Sequence, residues 1–169
     1  MAFFTPCWSA ILVSLAVVGC AGSADPNPAR IDAAAWHSAS SSLDLTLALT
    51  FSPTMLAALD HGIPLTLDFR IDPAHGPRQH QRVSLRFLPL LRRYELDSGG
   101  NPAQSFASRL QLLSALDRLR LPVAAAQPVA GRVSFRLDTQ ALPAPLRLPA
   151  LFDRDWHLQS AATAWTALP

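Results

Sequence analysis

The chain has 169 residues, half of them apolar, with 15% charged side chains and a formal net charge of +2. That length suits one domain with its own core, and that composition excludes disorder for the bulk of it. The charge is small and no block of five basic residues occurs, which argues against nucleic acid as a partner.

All fourteen basic residues are arginine, beside abundant Ala, Leu and Pro. This pattern suits a coding-composition bias, so the arginines carry little chemical weight by type alone. The two cysteines, Cys7 and Cys20, both fall in the first 20 residues. The rest of the chain therefore has no disulfide framework, thiol nucleophile or cysteine metal site.

Residues 10–19 (AILVSLAVVG) form an uncharged apolar run, followed by small residues and the turn-rich AGSADPNPA. This reads as a secretory signal over 1–24, with a linker at 25–30 and one α+β domain over 31–169. The segment before the run lacks Lys and Arg, a departure from the usual signal. Two kinds of processing fit. Val17-Val18-Gly19-Cys20 is similar to a bacterial lipobox, with Val17 where leucine is usual, which makes Cys20 a lipidation candidate. An ordinary peptidase would instead cut after Ala21 or Ala24. Residues 22–28 suit a polar tether holding a domain off a membrane.

A first strand is expected over residues 31–39 and a turn at Ser40-Ser41-Ser42. Leu43, Leu45, Leu47, Leu49 and Phe51 then alternate with Asp44, Thr46, Ala48 and Thr50, which predicts a strand with one buried face. Ser52-Pro53 caps a short helix over 54–61, and Gly62 ends it in a left-handed conformation. Residues 63–97 predict a long hairpin. Leu65, Leu67, Phe69 and Ile71 face inward on one arm, and Val83, Leu85 and Phe87 on the other. The register that satisfies both faces sets Ile71 opposite Val83, Phe69 opposite Leu85 and Leu67 opposite Phe87. It also pairs Asp72 with Arg82 and Asp68 with Arg86.

Pro89 breaks the ladder, and residues 93–97 resume it with Tyr94 and Leu96 inward. After a turn at Ser98-Gly99-Gly100-Asn101, residues 102–120 predict the longer helix, with Phe106, Leu110, Leu113 and Leu116 on its buried stripe. An Ala/Pro-rich loop spans 123–130, and residues 132–138 alternate as a strand with Val133, Phe135 and Leu137 buried. The prolines of 142–149 predict a polyproline-like strap, and residues 156–165 a final strand at the sheet edge. The expected architecture is α+β: a largely antiparallel sheet of five to six strands with two helices packed on one face.

These landmarks include AALDHGIPL, the Tyr94 that follows Arg92-Arg93, FASRLQLLSALDRL, RLDTQALPAPLRLPAL and a terminal WHLQS segment ending in Trp165. The chain resembles, over about residues 30–168, a proteobacterial family of small exported proteins known only as a domain of unknown function. Its members are sometimes labelled proline-rich signal-peptide proteins. The resemblance implies an envelope location and a gene neighbourhood shared with a membrane sensor kinase. It implies no catalytic residue.

No Gly-x-Ser-x-Gly, phosphate loop, HExxH or dinucleotide fingerprint occurs. His75 and His80 share the hairpin loop without a further ligand, so no metal is expected. His61 reads as a helix-end interaction. Asp68 and Asp72 suggest paired carboxylates, but the expected arginine partners make them structural. Arg92, Arg93 and Arg120 are a candidate cationic patch for lipid phosphates or an acidic partner. Pro143, Pro145 and Pro149 are a candidate docking edge.

The expected function is that of a periplasmic or lipid-anchored binding protein, without catalytic residue, cofactor or metal, and with an envelope or membrane protein as partner. One alternative is a periplasmic hydrolase gathering two or more of Asp60, His61, His75, His80, Asp153 and His157 in a pocket. The other is a lipid or ligand carrier with a leucine-lined cavity.

Overall fold

A computed structural model describes residues 29–100, 102–123 and 130–167. The expected signal, its cleavage sites, Cys20 and the tether lie outside these residues, as does most of the 123–130 loop. In chain order the elements are β1 (Arg30–His37), β2 (Ser42–Ala48), α1 (Pro53–Asp60), β3 (Leu65–Pro73), β4 (Gln79–Leu88) and β5 (Arg93–Asp97). They continue with β6 (Gln104–Phe106), α2 (Arg109–Leu116), β7 (Arg118–Pro122), β8 (Ala130–Leu137), α3 (Ala144–Phe152) and β9 (Thr163–Ala167). The α+β class and the largely antiparallel pairing agree with expectation. The count is higher, at nine strands and three α-helices among the described residues.

The strand order is β6-β5-β4-β3-β8-β9-β1-β2-β7. A six-stranded antiparallel part and the three strands β1, β2 and β7 meet where β9 runs parallel to β1 over two residue pairs. Strand β9 is therefore an interior suture, not the expected edge. The outermost strands approach each other: a Cβ on Gly100 would clash with the Pro122 ring at the end of β7. Helix α2 contacts β5, β6 and β7 and so bridges this closing seam.

Both arms of the central hairpin have the expected inward faces. Leu65, Leu67, Phe69, Ile71, Val83 and Leu85 are completely buried. Their partners differ from expectation, because the loop is shorter and β4 begins at Gln79. Leu67 faces Val83, Leu65 faces Leu85 and Phe69 faces Gln81, while Phe87 faces Tyr94 on β5. The expected register is displaced by four residues. An even displacement keeps every side chain on its own face, so burial alone cannot distinguish the two registers.

Local chemistry sets α1. The Ser52 hydroxyl accepts from the Met55 N–H at 3.1 Å, Pro53 occupies the first turn, and Gly62 turns the chain at φ +82°. The N–H of Gly62 reaches the Leu59 carbonyl at 2.9 Å and that of Ile63 reaches Ala58 at 3.0 Å. This paired closure needs a positive φ, which glycine adopts without a Cβ clash.

Two expected elements are corrected. The single helix over 102–120 is instead β6, α2 and β7. Ser108 starts α2 by accepting from the Gln111 N–H, and Leu110 points to solvent while Leu112 and Leu116 are buried. Arg118-Leu119-Arg120-Leu121 then alternates at period two and pairs with β2. The 142–149 strap is mostly helix α3. Pro143 caps it and Pro145 lies in its first turn, where no donor is needed, so only Pro149 removes an internal hydrogen bond.

Candidate functional site

The outer face of β4, β3 and β8 carries the densest chemistry of the fold. Alternation sends Asp68, Arg70 and Asp72 outward from β3, His80 and Arg82 from β4, and Arg132, Ser134 and Arg136 from β8. In the β3–β8 ladder Asp68 lies opposite Arg136 and Asp72 opposite Arg132. Asp68 is mostly buried, with 14% of its side chain exposed, and meets His80 Nδ1 at 3.3 Å and Arg136 Nε at 3.7 Å. Asp72 is held by Arg70 at 2.8 Å and by Arg78. These partners replace the expected Asp68–Arg86 and Asp72–Arg82 pairs. Arg86 binds Glu95 across β4–β5, and Arg82 leans toward Asp138 at 3.9 Å.

Desolvation pushes the Asp72 carboxyl pKa upward, but its hydrogen bonds from Arg78 and Arg70 prevail and hold it below the ordinary 3.8. Five arginines (Arg70, Arg78, Arg82, Arg132 and Arg136) thus stand among three carboxylates, leaving the face net positive.

Three adjoining clefts meet at Arg136. One of about 240 Å³ lies among Asp68, Arg70, His80, Ser134 and Ser160. The second, about 510 Å³, runs between Arg82, Asp138, Gln140 and Leu151, and the third, about 420 Å³, lies beside Trp156 and His157. Leu151 belongs to α3, whose Leu148, Leu151 and Phe152 are 69%, 54% and 84% exposed. Spacings of three and four residues put them on one stripe. An apolar strip therefore borders a cationic, cleft-bearing sheet face.

The chemistry available here is recognition. Asp68 and His80 form a carboxylate–imidazole pair, but among the described residues no hydroxyl hydrogen-bonds the His80 ring. Ser160 Oγ instead accepts from the Phe135 N–H at 3.1 Å. Among the described residues no three His, Cys, Asp or Glu side chains group to hold a metal ion. The six residues expected for a hydrolase do not converge in these clefts: His80 and His157 line different ones, without the other four. His61 caps α1, its Nδ1 lying 2.6 Å from the Ala57 carbonyl. Asp60 instead accepts from Tyr94 Oη at 2.7 Å and from Arg109, tying α1 to β5 and α2. Burial, then the hydrogen bond to Asp60 and its charge, raise the Tyr94 pKa. Of the leucines that would line a carrier cavity, Leu45, Leu96 and Leu119 border a cleft of about 520 Å³, together with the polar Asp44, Ser98, Gln104 and Arg120, whereas the inward leucines of β3 and β4 border no such cleft among the described residues.

The expected patch is divided. Arg92 and Arg93 sit at the β4–β5 turn, whereas Arg120 lies on β7 and grips Asp44 of β2 through Nε at 2.7 Å and Nη2 at 2.9 Å. Pro145 and Pro149 belong to α3, which Pro143 caps, beside the cationic face. Sequence reading passed over Arg136, Asp138 and the Leu148–Leu151–Phe152 strip. Alternation along Arg132–Arg136 was a legible signal, but its β3 neighbour was not.

The Arg120 hydrogen bond is the main cause that holds the Asp44 pKa below 3.8. A depressed folded-state value gives stability that is fully present above the unfolded value and is lost as pH falls through the folded one. Asp44→Asn should therefore destabilise the protein at neutral pH, and the gap from the unaltered chain should close as pH drops below 3.8. Urea midpoints measured across that range check this; a gap that widens toward acid contradicts the assignment.

A family model described as a domain of unknown function, DUF4390, matches residues 29–166. The chain belongs to this family. No curated protein and no solved structure matches it. The DUF4390 match begins one residue before β1 and ends inside β9, so it includes the cationic face, α3 and the suture. The DUF4390 description names no enzyme. Among the described residues no helix is long and apolar enough to cross a membrane.

Proposed function

We propose that this DUF4390 protein is an exported, envelope-located binding module that docks a membrane-protein partner on the face around Arg136. The apolar run at 10–19, the small residues after it and Cys20 support export, either lipid-anchored or processed to a soluble periplasmic form.

One observation carries the docking reading: Arg136 lines three joined clefts, one of which is walled by Leu151 of the exposed apolar strip of α3. A strip of this kind beside a net positive face suits a segment with acidic side chains for Arg82 and Arg136 and an apolar one for Leu151. Asp68 and Asp138, set into the same face, would repel a bare anionic surface, which favours a shaped protein partner over a lipid headgroup layer.

The test is co-purification of the full chain from detergent-solubilised envelopes. A defined partner is expected with the unaltered chain and with Arg30→Glu, a charge reversal outside this face. The double variant Arg136→Glu/Leu151→Ser is expected to lose about 90% or more of it, a tenfold weakening that corresponds to about 1.4 kcal/mol. Equal recovery from all three chains defeats the proposal.

A further inference from the structure

The β4–β5 turn holds two leucines out in water: Leu90 is 100% and Leu91 66% exposed. The turn is nevertheless well tied. The Leu91 N–H donates to the Leu88 carbonyl at 3.1 Å and the Arg92 N–H to Pro89 at 3.3 Å, with Arg92 at φ +50°. Beneath it, Arg93 pairs with Leu88 across the ladder, and the Phe87 and Tyr94 rings pack with centroids 4.7 Å apart and planes tilted by 40°.

The charges on the apex itself are positive, and the neighbouring Asp60 is already bonded to Tyr94 and Arg109. Arg92 and Arg93 are both exposed, and among the described residues neither has a carboxylate within 4.0 Å. Glu95, the nearest acid along β5, is already bound by Arg86. A convex apex with apolar side chains ahead of free cations suits a fluid bilayer, which opens around a wedge and needs no matching pocket. Lipid phosphates then meet the arginines at headgroup depth.

We propose that the Leu90–Leu91 tip inserts into the interface of an anionic lipid bilayer, with Arg92 and Arg93 seated among its phosphates. This contact is independent of the Arg136 face and fixes the orientation of the domain at a membrane surface.

The experiment uses the full chain with Cys7→Ser and Cys20→Ser. A polarity-sensitive fluorophore is attached through Leu90→Cys or, as control, through Leu110→Cys on α2. Leu110 is also exposed, at 75%. The apolar N-terminal run can itself hold the chain on vesicles, so the control reports attachment without tip contact.

With phosphatidylethanolamine–phosphatidylglycerol vesicles, the label at 90 should brighten about threefold or more and be quenched by lipid-borne quenchers, while the label at 110 stays unchanged. Arg92→Glu/Arg93→Glu should reduce that response about tenfold or more, and phosphatidylcholine vesicles should reproduce the loss. A silent label at 90, or equal responses at 90 and 110, overturns the proposal. So does a response indifferent to anionic lipid, or one elicited by solubilised envelope proteins but not by vesicles.

Discussion

Phe69→Ala is expected to destabilise the protein by about 3–5 kcal/mol, a large share of the roughly 5–15 kcal/mol that holds a domain of this kind folded. Phe69 sits on β3 between β4 and β8, is completely buried, and packs its ring 5.2 Å from that of Phe135. Truncation removes apolar contact on both flanking strands. The backbone there is fixed by two ladders, so neighbours cannot close the space. Denaturant unfolding checks it through a lower midpoint at an unchanged slope. Arg70→Ala, one residue away on the outer face, should lose less than about 1 kcal/mol, since Arg70 is half exposed and Asp72 keeps Arg78 as a partner. Similar losses at the two positions mean that the inner and outer faces of β3 have been assigned the wrong way round.

That contrast shows what the sequence could and could not convey. The period of two along residues 65–71 and 83–87 states which side of each strand is buried, and every one of those faces is correct. It does not state the partner. Registers four residues apart bury the same side chains, and only the loop geometry between Pro73 and Gln79 chose between them. The Asp–Arg pairs shifted with the register, which is why the cationic face centres on Arg136, a residue far along the chain from Asp68.

Short elements failed for a different reason. Residues 102–120 contain enough leucine at helical spacing to suggest one long helix, yet Arg118–Leu121 also alternates, and pairing with β2 decided the competition. Proline misled in the opposite direction: counted by number, Pro143, Pro145 and Pro149 forbid a helix, but counted by position only one removes a bond. The exposed strip of α3 was hidden along with its helix. The apex at Leu90 was visible only as a break in a ladder, because exposure is a property of the fold and not of the residue.

Strand β9 joins the two parts of the sheet, and Trp165 anchors it, 2% exposed, against the backbone of Gly131 on β8. A Cβ on Gly131 would fall closer than 3.0 Å to the Trp165 ring and 2.7 Å from the Asp72 carbonyl oxygen. Glycine is required by this approach and not by an unusual φ. Trp165→Ala should destabilise by about 3–5 kcal/mol, and Gly131→Ala by about 1–3 kcal/mol through overpacking. Among the described residues the buried Trp165 Nε1–H has no hydrogen-bond partner, a state that costs about 1–3 kcal/mol. Trp165→Phe removes that donor and should cost well under half of what Trp165→Ala does. Because the ring is the closest thing the new methyl would strike, Gly131→Ala should cost less once Trp165 is alanine, with the approach to the Asp72 carbonyl oxygen keeping part of the loss. The double variant is then more stable than the sum of the singles by about 1 kcal/mol or more. Additive losses in that cycle would separate Gly131 from Trp165 and leave β9 held by something other than this contact.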